Sequence, residues 1–180
     1  MIALDRAVTP TRSRTIPWWQ AAWFAGIAAS LAFVAGVWVA AVSVNQDERE
    51  HLIALHVASL GQDDKLVSVR STDRHIVKPW FAGKIDFTPP VADDADQGFA
   101  LLGGRLDSVG GKAMAAVVFR IRRHDINLFV SRAADLRSVP LRSSTLRGFS
   151  IVAWSADGLA FSAVSDVDLC ELERFAALVR

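Results

Sequence analysis

The chain has 180 residues, of which 52% are hydrophobic and 22% charged, with a mean hydropathy of +0.28. That balance excludes a disordered chain and a collagen-like repeat, and the single cysteine, Cys170, excludes a disulfide-stapled scaffold. A net charge of +1 lacks the strong basic balance of a nucleic-acid-binding domain, so no direct nucleic-acid partner is expected.

The excess hydropathy is concentrated near the N-terminus. No charged residue occurs between Arg14 and Asp47, and 22 of the 27 residues from Trp18 to Val44 are Ala, Val, Ile, Leu, Phe or Trp. As a helix this stretch is roughly 40 Å long, more than a ~30 Å hydrocarbon core requires. The apolar region of a secretory signal peptide is about 7–15 residues, so length favours an uncleaved anchor, although Ala41-Val42-Ser43 resembles a weak cleavage site. No second run of spanning length exists, which excludes a polytopic protein. Arg6, Arg12 and Arg14 precede the span and Asp47, Glu48 and Glu50 follow it, an asymmetry that keeps the N-terminus in the cytoplasm. Trp18, Trp19 and Trp23 stand where an aromatic belt would sit. The expected organisation is a cytoplasmic tail (1–15), a transmembrane helix (16–44) and a domain in the periplasm (45–180) of a single-pass inner-membrane protein. Ala28, Ala32, Gly36 and Ala40 recur every four residues, a face suited to a homodimer or simply the alanine content of a membrane helix.

Residues 46–60 read as a helix, with Leu52, Leu55, His56, Ser59 and Leu60 on one side and Gly61 as its stop. No proline or glycine interrupts Val37–Leu60, so this helix is expected to continue from the span as a rigid stalk that couples the outer domain to the membrane. Lys65–Ser71 then reads as a strand, and His75–Val77 as extended backbone leading into Lys78-Pro79. A loop follows from Asp86 to Gly98. Phe99–Val109 and Lys112–Arg122 form a hairpin about Gly110-Gly111. Ala115, Val117, Phe119 and Ile121 face inward, as do Ile126, Leu128 and Val130 in His124–Arg132, while Asp125, Asn127 and Ser131 face out; one side of the sheet is expected to be wet. Residues 133–147 read as an arginine-rich loop. A second hairpin, Phe149–Trp154 and Leu159–Val164, leads to a capping box at Ser165–Asp168 and a final amphipathic helix. The expected fold is α+β: an antiparallel sheet with a helix at each end, both over one face.

No catalytic constellation can be nominated. There is no G-x-S-x-G, Cys170 sits on an ordinary amphipathic helix, and Gly103-Gly104 lacks the lysine-serine ending of a phosphate loop. The four histidines are the candidate metal ligands, but His51 and His56 are five residues apart and so do not share a helix face. The basic run Arg120, Arg122, Arg123 and His124 reads as a solvated strand face or as an anion site. Trp80 and Phe81 read as core. No enzymatic activity and no cofactor are expected.

The segment Asp73–Val91 (DRHIVKPWFAGKIDFTPPV) resembles the outer domain of bacterial transmembrane anti-sigma factors, matching at His75, Val77, Lys78, Pro79, Trp80, Phe81, Gly83, Lys84, Phe87, Pro89 and Pro90. The likeness extends through Gly98-Phe99, Leu102–Asp107 with Arg105, Phe119-Arg120, His124, Ile126–Val130, Gly148-Phe149, Trp154, Ala163–Asp166 and the last helix. His75, Lys78, Pro79, Trp80, Arg105 and His124 are therefore the candidate functional residues. The resemblance implies a membrane-anchored regulator without catalysis, a partner sigma factor of the extracytoplasmic-function type, and transcription as the output. Family members also carry a cytoplasmic zinc motif, His-x-x-x-Cys-x-x-Cys, that binds the sigma factor. The 17 residues before Trp18 contain neither histidine nor cysteine, so either the start lies upstream or the chain is a shortened form. A reading from another class is a membrane-tethered module binding a small anion, metal or haem.

Overall fold

Ten-residue runs of alternating and β-branched side chains dictate the main feature, a seven-stranded antiparallel sheet in the order β1-β2-β3-β4-β7-β6-β5. The computed structural model describes residues 46–60, 66–92 and 95–180. Helix α1 covers residues 46–59. After it come β1 (Val69–Arg70), α2 (Arg74–Trp80), a 3-10 turn (Ala95–Gln97), β2 (Ala100–Val109), β3 (Lys112–Ile121), β4 (His124–Arg132), β5 (Val139–Leu146), β6 (Phe149–Ala156), β7 (Leu159–Ser165) and α3 (Leu169–Val179). The domain is α+β, as expected. Among the described residues no helix is long and apolar enough to cross a membrane; the expected tail, span and small-residue face lie outside them.

Both faces of the sheet are covered, which corrects the expectation of one wet face. Ala115, Val117, Phe119 and Ile121 of β3 join Leu172, Phe175, Ala176 and Val179 of α3 in the larger core. Met114 and Ala116, of opposite parity, pack with Phe129, Ile151 and Val164 against Leu52 and Ile53 of α1. The two end helices therefore lie on opposite faces, not on one. Helix α1 is seated in the domain, with Leu52, Ile53, His56 and Ser59 all buried. Each fully buried aliphatic side chain contributes on the order of 1.5–3 kcal/mol, so the docking of α1 is part of the fold's stability. Its continuation into the span lies outside the described residues. Asn127, expected to face out, is fully buried beneath α1.

Four local expectations also change. His75–Val77 is helical: the Asp73 carboxylate accepts a hydrogen bond from the His75 amide (2.7 Å), and Val77 and Phe81, four residues apart, are both fully buried. This cap and the shared apolar face outweigh the bias of Lys78 against helix before Pro79. Asp73→Ala should cost about 1 kcal/mol, seen as a lower urea midpoint and faster amide exchange confined to residues 74–80. Strand β1 is only Val69–Arg70, since Leu66 and Val67 turn inward to pack beside Val118. Residues 139–146 form an edge strand, not loop; its side chains are mostly exposed and its Pro140 sits within a register irregularity. At α3 the N-cap is Asp168 with no side-chain cap bond, while the Ser165 hydroxyl donates to the Asp125 carbonyl (2.8 Å), so the capping box does not form.

Two glycines position the β1 edge. Gly103 (φ +146°) stands at a bulge in β2 where a Cβ would meet the Val69 carbonyl oxygen at 1.9 Å, and a Cβ on Gly104 would meet the Phe81 ring at 2.6 Å.

Candidate functional site

The register of the sheet aligns Arg105, Ala116 and Phe129 across β2, β3 and β4, on the face that α1 covers. From the same face of β4 the Asn127 amide donates to the Ser59 hydroxyl (3.2 Å), and that hydroxyl donates to the His56 carbonyl (2.7 Å). The His56 ring is fully buried beside Asn127, with the Phe149 ring edge-on at 5.6 Å. The Arg105 guanidinium, only 5% exposed as a residue, pairs with Asp107 (2.9 Å), donates to the Leu66 carbonyl (2.9 Å) and lies 5.8 Å from the Phe129 ring centre.

This polar group is incompletely satisfied. Among the described residues, five buried side-chain polar atoms form no hydrogen bond, and four of them are here: both His56 ring nitrogens, Arg105 Nη2 and Asn127 Oδ1. Each such atom in an apolar setting has lost hydration without replacement. Burial accordingly depresses the His56 pKa from 6.5 to about 4, against the pull of Asp166 and Asp125 toward the charged form and with a smaller push from Arg105. Burial also lowers the Arg105 pKa and raises that of Asp107, each opposed by the other's charge. The arrangement holds one neutral imidazole and one ion pair under a helix.

The six residues singled out by sequence do not converge. His75, Lys78 and Pro79 are exposed on α2, at the β1–β2 edge, and Trp80 is half-buried against Phe81, with the Lys84 ammonium 4.3 Å from its ring centre. Trp80 and Phe81 do pack with the core, Phe81 completely. Arg105 is in the buried group. His124 lies at the opposite end of β4 from the Arg105 row, five residues from Phe129 or roughly 17 Å, with Nδ1 2.9 Å from the Asp166 carboxylate. The basic run is largely neutralised within the fold: Arg120 grips Asp125 through two bonds (2.6 and 3.1 Å), and Arg122 bonds Glu171. Among the described residues no three or more His, Cys, Asp or Glu side chains gather as a metal site.

His56 is the residue that the sequence reading undervalued. Its signal was present, as a titratable side chain in the stripe Leu52–Ser59 that the helix buries. Compared with known protein families and with curated proteins, the chain matches none.

Proposed function

We propose that this chain is a membrane-anchored, non-catalytic regulator: a periplasmic sensor domain of the anti-sigma type, tethered by residues 16–44, with an extracytoplasmic-function sigma factor as its ultimate target. Contact with that sigma factor would pass through a separate or upstream cytoplasmic domain. The observation that carries the reading is the docking of α1. The helix that follows directly on the apolar stretch in sequence has four side chains buried in the domain, so a change in the domain that alters its seat acts on the segment joined to the membrane. The residues behind the family resemblance fit this, because several serve the fold: Val77 and Phe81 anchor α2, Pro89 and Phe99 are buried, and Gly103-Gly104 admits β1 and Phe81.

Two measurements test the proposal. Alkaline phosphatase fused after Arg180 should be active, because the C-terminus lies outside the inner membrane. A fusion active only when placed before Trp18 would reverse the topology and end the sensor reading. Deleting the chain should change by several-fold the stress response of a reporter driven by one of the host's extracytoplasmic-function sigma factors; an unchanged response across all of them would overturn the regulatory part.

A further inference from the structure

The α1 seat combines three features that together describe a releasable element. Its helix has no strand pairing to hold it and touches one layer only, through Leu52, Ile53, His56 and Ser59. The centre of that contact is an imidazole with no partner for either nitrogen. And the helix leads, in sequence, straight to the apolar segment. We propose that α1 is a proton-released latch: acidification of the outer compartment charges the imidazole of His56, its buried seat accommodates only the neutral ring, and the helix leaves the sheet.

The surroundings decide the direction. A charged imidazole has two N–H donors and no acceptor. Neither ring nitrogen forms a hydrogen bond in the docked helix, and the Asn127 side chain beside the ring favours the charged form far less than burial opposes it. Phe149 and Asn127 stand beside the ring. The sheet residues that pack with Leu52 and Ile53 under the same helix are Met114 and Ala116 of β3, Phe129 of β4, Ile151 of β6 and Val164 of β7, none of them charged. Two carboxylates favour the charged ring from β4 and from the β7–α3 connection, but Asp125 is held by Arg120 and Asp166 by His124. From β2 the Arg105 charge, paired with Asp107, opposes it. On α1 itself Glu50 pairs with Arg147 (3.1 Å) at the surface, six residues before His56, and Asp47, Glu48 and Arg49 are exposed. His51 is exposed.

The sign follows from linkage. The docked ring has a pKa of about 4 and the released ring the ordinary 6.5, so docking is fully supported above pH 6.5 and loses support as pH falls toward 4. Between pH 7 and pH 5 the released-to-docked ratio should rise about 20-fold. The inference needs no sigma factor; it rests only on the proposed placement of residues 45–180 outside the membrane, and its test reads the helix and not the topology.

The test is amide hydrogen exchange of the full chain in phospholipid nanodiscs at pH 7 and pH 5, with times scaled for intrinsic exchange. Protection of residues 46–59 should fall about 20-fold at pH 5, while residues 115–130 keep theirs. His56→Leu should abolish the difference, and His56→Gln serves as the second variant if the leucine disturbs folding. His124→Asn, which removes the other imidazole on Asp166, should leave the response intact. Equal protection of α1 at both pH values, the same loss in both His56 variants, or a uniform loss across the sheet would each overturn the latch.

Discussion

Replacing Gly103 by alanine should lower the unfolding free energy by about 3 kcal/mol and free the β1 edge. Two costs combine at this position. The backbone sits at φ +146°, which an L side chain resists, and the new methyl would lie 1.9 Å from the Val69 carbonyl oxygen, a backbone atom that cannot swing aside. Relief requires Val69–Arg70 to lift from β2, and with them goes the Ser68 amide bond to the Gly104 carbonyl (2.8 Å). Urea unfolding should show the midpoint falling by roughly 1–2 M. Gly111→Ala separates the two costs, because Gly111 (φ +79°) has nothing within 4 Å of its Cβ position and so carries the conformational cost alone, about 1 kcal/mol. Equal losses in the two variants would mean that the close approach of β1 contributes nothing.

Removing the Asp107 carboxylate should be at least as damaging. Asp107→Ala leaves the Arg105 guanidinium, whose side chain is 6% exposed, charged beneath α1 with its Nε–H unpaired. Breaking a buried pair from one side costs about 3–5 kcal/mol, whereas replacing both members with apolar groups is near neutral. The double variant Arg105→Met/Asp107→Ala should therefore recover most of the loss, although the Leu66 carbonyl then forfeits its donor. A thermodynamic cycle over the two singles and the double reads the coupling directly. If Asp107→Ala cost under about 1 kcal/mol, the range of a surface pair, the guanidinium would have found water and the seat of α1 would be wetter than its burial implies.

How far the fold was legible depends on what each strand had to tell. The β2–β3 and β6–β7 hairpins were readable because Gly110-Gly111 and Asp157-Gly158 supply positive φ at the turns, flanked by alternating side chains. Strand β5 was not, because an exposed edge buries little on either side and its stability comes from backbone pairing with β6, which leaves no trace in residue pattern. The second covered face was legible and missed: from Ala113 to Phe119 every residue is apolar, a run that fits burial on both sides better than alternation. Helix α2 was hidden by a sound local rule about proline that a side-chain cap and two buried anchors overrode.

The buried polar group was half visible. His56 stood in an apolar helix stripe, which is where a titratable residue is most informative. Its environment was not readable, because Asn127, Arg105 and Phe149 come from three separate strands that only register brings together. Nothing in Leu102–Asp107 taken alone shows that Arg105 points at the underside of a helix some fifty residues earlier.

The strand order has a consequence for how the domain is made. Strands β2–β4 and β5–β7 are two meanders, joined only where β4 pairs with β7, at the middle of the sheet. During synthesis β4 emerges 33 residues before β7 ends, a delay of a few seconds at ordinary elongation rates. Throughout that interval its inner edge, rich in Ile126, Leu128, Phe129 and Val130, has no neighbour. An open apolar edge of nine residues is a template for pairing with other chains. Helix α1 also waits, since Ile151 and Val164 of its seat arrive last. The nascent chain is thus most vulnerable to aggregation just before completion, when holdase chaperones would bind it best, and truncations anywhere between Arg132 and Ser165 should be degraded rather than stored.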